Sequence, residues 1–250
     1  YKINDYRNNG PELPVWEVIT KSSNLGTARI AKLIGPEKQR EFLSSLGFAT
    51  HTSIEMIEAK GGKPLWPKRW NELETMTISY GHGISITPLH LATGYAMLAN
   101  GGRLVKPTII EGVKSDLGPR VISKEVAHNS LAMLRGVVLG GTASIADVSG
   151  YFVGGKTGTA DKPSAQGGYD KEKNITSFAS IFPIDEPKYV LVVALDEAQD
   201  TSGPEPKRTA GWTAVPVSAE IITRVAPLLG LRPKFNNNSN LSVTLSNWNE

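Results

Sequence analysis

The 250-residue chain contains no cysteine. That excludes disulfides, thiol catalysis and thiolate metal sites, and it suits an oxidising compartment and the cytosol equally. Long hydrophobic runs are missing too: no stretch approaches the ~18 apolar residues that cross a bilayer, and no signal-peptide pattern opens the chain. Any export signal or membrane anchor is expected outside these residues. Charge of one sign is scarce, with a net charge of +3. The lysines and arginines are spread out, with no basic stripe interleaved by aromatics, so nucleic-acid binding finds no support. The four histidines, His51, His82, His90 and His128, show no metal-ligand spacing, and no carboxylate pair suited to acid–base work stands out. Neither a metal nor a cofactor is expected. What remains is 40% hydrophobic and 20% charged, enough for a proper core in one large domain or two small ones.

The stretch Tyr151-Phe152-Val153-Gly154-Gly155-Lys156-Thr157-Gly158-Thr159-Ala160 organises the rest. Three apolar residues suit a buried strand. The glycines and the Lys-Thr-Gly-Thr run then keep one strand edge bare, so that a ligand or backbone can approach an ammonium, two hydroxyls and peptide N–H groups. Such an edge fits an extended anion, for instance a peptide carboxylate beside a polarised carbonyl. The same letters, from Gly150 to Thr157, formally match the phosphate-loop pattern G-x-x-x-x-G-K-[ST]. That loop needs a helix starting at its Lys-Thr, and Gly158, Pro163, Gly167 and Gly168 forbid one at reasonable cost. Nucleotide binding is therefore set aside.

Around this stretch the pattern gives a short helix with Val15, Trp16, Val18 and Ile19, a junction at Lys21-Ser22-Ser23-Asn24, and a second helix ended by Gly35-Pro36. Serine and asparagine at a junction also suit plain helix N-caps. A third helix spans Pro36 to Leu46, closed by Gly47. Residues 50 to 75 are mixed, their tryptophans Trp66 and Trp70 reading as core cover. Tyr80-Gly81-His82-Gly83 suggests backbone held near something, with Tyr80 a cleft wall. Thr87-Pro88 starts an apolar helix expected to be central and buried. Leu104-Val105 and Thr108-Ile109-Ile110 read as short strands. Ser123 opens a further helix closed by Gly140-Gly141. A polar loop is expected from Asp161 to Asn174, then a hairpin of 175–184 and 189–195, then a last helix from Thr213 to Leu229. The fold class is α+β: an antiparallel sheet flanked by helices, with the Lys156 strand on the side facing the helical part. Residues 1–232 form the domain, and 233–250 read as a polar tail.

Ser22-Ser23-Asn24 followed by Lys156-Thr157-Gly158-Thr159 supplies two of the three elements of serine acyl transferases of the penicillin-binding kind. With Ile78-Ser79-Tyr80-Gly81-His82-Gly83-Ile84, Thr87-Pro88-Leu89-His90-Leu91-Ala92 and Leu98-Ala99-Asn100-Gly101-Gly102 around them, the chain from about Tyr1 to Leu231 resembles the transpeptidase domain of class B penicillin-binding proteins, nearest the septal, cell-division type. The resemblance implies a penicillin-binding-protein/serine β-lactamase-like transpeptidase fold at the periplasmic face of the inner membrane. It implies D-alanyl-D-alanine stem peptides as substrate, β-lactams as inhibitors and divisome proteins as partners. It makes Ser22 a proton relay tuned by Lys156, and Asn24 a donor to the substrate's backbone carbonyl. Lys156 becomes the positive charge, and the Thr157 and Thr159 hydroxyls become binders of the terminal carboxylate. Gly158 keeps the edge open, and the Thr159 N–H belongs to the oxyanion hole. The third element, Ser-x-x-Lys, is absent; the nearest imitation is Thr159-Ala160-Asp161-Lys162. In the family it precedes Ser-x-Asn, so it is expected upstream of Tyr1, and the chain as given is expected to be inactive. Two other readings stay open: a silent divisome scaffold, and a β-lactam hydrolase or sensor of the same fold.

Overall fold

A three-stranded antiparallel meander, β3 (Gly154–Pro163), β4 (Tyr169–Phe182) and β5 (Tyr189–Asp196), carries the Lys156 stretch in a computed structural model that describes residues 2–62, 64–113, 117–164 and 166–235. The chain divides into two units, one up to His128 and one from Asn129.

In the first unit, α1 (Val15–Thr20), α2 (Asn24–Ile34) and α3 (Pro36–Ser45) follow one another with almost no connecting chain. Gly35, at φ 84°, makes the turn between α2 and α3 that a side chain would resist. Next come α4 (Glu72–Ser79) and α5 (Pro88–Ala99), then a two-stranded ribbon of β1 (Arg103–Val105) and β2 (Leu117–Arg120). Trp70 Nε1 donates to Gln39 Oε1 at 2.9 Å and Gln39 Nε2 donates to the Thr75 carbonyl at 2.9 Å, tying α3 to α4. At the start of α5, Thr87 accepts from the His90 N–H, and the His90 ring returns to the Thr87 backbone. The other ring nitrogen, Nε2, lies 2.8 Å from the Thr50 carbonyl, so it carries the proton and His90 is consumed structurally.

In the second unit, α7 (Ala214–Leu228) lays a stripe of Ala214, Val215, Ser218, Ile222 and Ala226 inward against β4 and β5. Helix α6 (Lys124–Gly140) starts before the division and continues into this unit. Phe178, Ile181, Ile184, Val137, Val138, Val153, Val215 and Ile222 are fully buried. Each such side chain contributes about 1.5–3 kcal/mol over its exposed state.

Five sequence expectations are corrected. Tyr151-Phe152-Val153 is not strand: Phe152 takes φ 40°, and the strand starts at Gly154. The carbonyls that a strand would pair are used otherwise, Phe152 accepting from the Ile184 N–H and Val153 from Arg135. The polar loop from Asp161 to Asn174 is mostly hairpin, with β3 reaching Pro163 and β4 beginning at Tyr169 through a register shift after Asp161. Its charged residues are those of a solvated ribbon, which polarity alone does not separate from a loop. Residues 108–110 form no strand; Leu117–Arg120 pairs with β1 instead. Within the mixed region lies the start of α4, opened by a capping box of Asn71 and Glu74. The α5 helix is half-buried rather than buried, with only His90 and Met97 of its residues covered, although apolar residues all round a helix favour full burial. The expected polar tail falls largely on 236–250, outside the described residues.

Candidate functional site

The sequence-predicted residues fall in both units: Ser22, Asn24 and Tyr80 in the first, Lys156, Thr157, Gly158 and Thr159 in the second. Each group is described within its own unit.

The junction between α1 and α2 is two helix ends fused. The Ser22 N–H donates to the Ile19 carbonyl at 3.1 Å and the Ser23 N–H to the Val18 carbonyl at 2.9 Å, the two bonds of a Schellman ending. Ser22 therefore stands where glycine is normal, and it has φ 56°. Ser23, not Ser22 or Asn24, is the N-cap of α2, accepting from the Gly26 N–H at 2.9 Å; Asn24 is the first helical residue. Ser23 is 1% exposed while Ser22 and Asn24 are half-buried, so the middle serine is structural and its neighbours carry the accessible polar atoms. A left-handed non-glycine costs roughly 1–2 kcal/mol, and glycine loses part of that gain through its freer unfolded chain. Ser22→Gly is therefore expected to raise stability by about 0.5–1 kcal/mol in urea denaturation. A drop instead would mean that the Ser22 side chain, not the helix ending, holds the conformation.

A residue the motif search missed stands behind this junction. Asp5 Oδ2 accepts from the Ser23 hydroxyl at 2.8 Å and from Asn9 Nδ2 at 2.9 Å, and Oδ1 accepts from the Leu25 N–H at 2.9 Å. Burial raises the pKa of this carboxyl, but hydrogen bonds from Leu25, Asn9, Ser23 and Asn24 outweigh it and hold it below the ordinary value. Its partners at the junction, Ser23 and Leu25, lie 18 and 20 residues away, beyond the reach of any local pattern. Tyr80 ends α4, half-buried, its ring 5.1 Å from that of His82 in an edge-on arrangement.

In the second unit the strand order is β3-β4-β5, so one edge of β3 has no strand partner among the described residues. Lys156 is half-buried, and its ammonium donates to the Thr157 carbonyl at 2.9 Å. Burial pushes its pKa down to about 8. Thr157 and Thr159 share a face of the strand by the two-residue period. The Thr157 hydroxyl lies 2.7 Å from that of Thr142, and Thr159 Oγ1 accepts from the Ala210 N–H at 3.1 Å. A hydroxyl has one hydrogen and two acceptor sites. Thr159 Oγ1 thus keeps its hydrogen for another acceptor. Thr157 keeps its own if Thr142 is the donor between them.

The glycines of this stretch are closely packed. A β-carbon on Gly154 would sit 2.1 Å from Ile184 Cδ1, one on Gly155 2.5 Å from the Ala179 carbonyl oxygen, and one on Gly158 2.7 Å from Ser177 Oγ. Sequence reasoning also passed over Arg135. It is 5% exposed, and its guanidinium donates to the Val153 carbonyl and to Asp147 Oδ1, both at 2.8 Å, fixing the chain just before β3.

Comparison with known proteins bears on this arrangement. The family model described as penicillin binding protein transpeptidase domain matches residues 1–222. The probable peptidoglycan D,D-transpeptidase FtsI of Caulobacter vibrioides is 35% identical over 243 residues, covering 93% of this chain and 41% of that protein. The peptidoglycan D,D-transpeptidase FtsI of Escherichia coli K12 is 30% identical over 224 residues, 89% of this chain and 37% of that protein. The chain thus spans about two fifths of the length of these curated relatives. Among solved structures, the transpeptidase domain of Burkholderia pseudomallei penicillin-binding protein 3 aligns with a TM-score of 0.80 at 35% identity, covering 90% of this chain and 67% of that one. Penicillin-binding protein 3 of Mycobacterium tuberculosis, solved in complex with ampicillin, aligns with a TM-score of 0.79 at 28% identity, covering 94% and 56%. Fold, motif order and family match agree: the chain belongs to the penicillin-binding protein transpeptidase domain family, in its class B branch with FtsI and penicillin-binding protein 3.

Proposed function

We propose that these residues are the substrate-holding and proton-relaying part of a peptidoglycan D,D-transpeptidase that cross-links stem peptides in septal wall synthesis and is acylated by β-lactams. The observation that carries this reading is the Lys156–Thr159 segment on an edge strand: an ammonium held on the Thr157 carbonyl, two hydroxyls that share one face, and a strand edge with no strand partner among the described residues, which suits an extended anionic peptide. In the reaction a serine oxygen bonds to the carbonyl carbon of the penultimate D-alanine and the terminal D-alanine leaves as the amine. The amine of a second stem then attacks the ester and restores the serine.

Ser22 passes the proton to the leaving amine, and Asn24 donates its amide to the substrate's backbone carbonyl. Lys156 supplies positive charge. Thr157 and Thr159 donate to the terminal carboxylate, Thr142 orienting the Thr157 hydrogen. Gly158 leaves the edge accessible, the Thr159 N–H faces the developing oxyanion, and Tyr80 is a cleft wall. The serine of this reaction belongs to a Ser-x-x-Lys element, a pattern these residues do not contain. Among the described residues no helix is long and apolar enough to cross a membrane. We place the working protein at the periplasmic face of the inner membrane, held by an anchor outside these residues, with divisome proteins as partners.

The test is fluorescent-penicillin labelling of the full-length protein that carries these residues together with a Ser-x-x-Lys segment. A covalent label that unlabelled β-lactam displaces and that persists for hours is expected. A folded protein that takes no label overturns the reading, and a label lost within seconds turns it towards a hydrolase.

A further inference from the structure

Ser23 alone satisfies the cap of α2, yet a second acceptor is built against the same turn. The carboxylate of Asp5 takes the Ser23 hydroxyl on one side of Asn24 and the Leu25 N–H on the other. Asn24 itself donates to the Asn4 carbonyl at 3.2 Å, so the two residues of this strand-free segment grip three consecutive positions. Asn9 Nδ2 in turn holds Oδ2 of Asp5. The grip falls just after Ser22, whose left-handed backbone is the conformation a serine leaves most readily. A carboxylate at the start of a helix also meets the positive end of its dipole, and charge-assisted hydrogen bonds are stronger than neutral ones.

We propose that Asp5 is a positioning residue for the Ser-x-Asn element, fixing the backbone from Ser22 to Leu25 through Ser23 so that the Ser22 hydroxyl and the Asn24 amide each keep one orientation. This rests on the acyl-transfer reading above. Asp5 touches neither substrate nor nucleophile in it; it acts only through its neighbours.

The experiment uses the same full-length protein, and its wild type is labelled first. If the wild type takes no label, the acyl-transfer reading fails, and Asp5's role in it falls for that reason and not by its own test. If it labels, Asp5→Asn, which keeps size and removes charge, is expected to slow acylation about tenfold. The reversible binding step that precedes acylation should be nearly unchanged. Ser23→Ala should slow acylation too, and the double variant should be slowed by clearly less than the product of the two singles, since they share the Ser23–Asp5 bond while Ser23 also caps Gly26 and Asp5 also holds Leu25. Wild-type acylation by Asp5→Asn with only a lowered melting temperature overturns the proposal. So does a double variant slowed by the product of the two singles. Should Asp5→Asn fail to fold, Ser23→Ala decides alone: an unchanged acylation rate there overturns the proposal.

Discussion

Lys156→Met in the full-length protein is expected to slow acylation by about 10²–10³-fold while leaving the fold as stable as before, or more so. The two halves of this outcome have one cause. The ammonium is held where burial disfavours charge, which lowers its pKa from the ordinary 10.5 to about 8. A side chain of similar length without charge removes that penalty and keeps the packing. The pH dependence follows. Folded Lys156 loses its proton near pH 8 and the unfolded side chain near 10.5. Between these values the unfolded state binds more protons, so this group's contribution to stability rises with pH across the window. Comparing urea midpoints of wild type and Lys156→Met from pH 7 to 10.5 isolates it: the wild type should gain on the variant as pH rises. Acylation should fall above pH 8 as the charge is lost, and Lys156→Arg should keep any residual rate flat there, because guanidinium stays charged. A rate insensitive to Lys156→Met would remove the charge from the mechanism.

Gly155→Ala should cost about 3 kcal/mol, at the upper end for overpacking, and lower Tm by roughly 6–12 °C for a chain of this size. The new methyl would lie 2.5 Å from the Ala179 carbonyl oxygen and 2.7 Å from Phe178 Cζ. Phe178 is 0% exposed, so neither atom has room to retreat. The backbone of β3 would have to lift from β4 directly beside Lys156. Gly140→Ala is the control: nothing lies within 4 Å of its β-carbon. As the last residue of α6 it should be neutral or gain up to about 1 kcal/mol. Equal effects of the two substitutions in thermal unfolding would show that loss of glycine flexibility, not the clash, is responsible.

How much of this was legible in the sequence depended on whether the signal was local. The helix start at Thr87-Pro88, the turn at Gly35-Pro36 and the 175–195 hairpin carry their own chemistry and stand where expected. The meander with Lys156 on its first strand was readable because apolar β-rich runs and a turn sequence sit side by side. What was not readable is set by partners far along the chain. The bend at Tyr151-Phe152-Val153 follows from Arg135 and Ile184 claiming its carbonyls, and no pattern within the tripeptide reports them. The choice of Ser23 as cap over its two neighbours follows from the Schellman ending of α1, which places Ser22 outside both helices. Asp5 and Thr142 carry no motif at all; each gains its place only when folding brings it to a serine or threonine that does.

The left-handed serine between α1 and α2 has a consequence for anyone improving this protein by selection. Its position accepts glycine more comfortably than the residue it has, so a screen for heat tolerance alone would find that exchange early and keep it. The hardier variant would have discarded the hydroxyl assigned to proton transfer. Robustness gained at this junction is therefore a warning sign, and variants from such a screen should be assayed for turnover before they are combined.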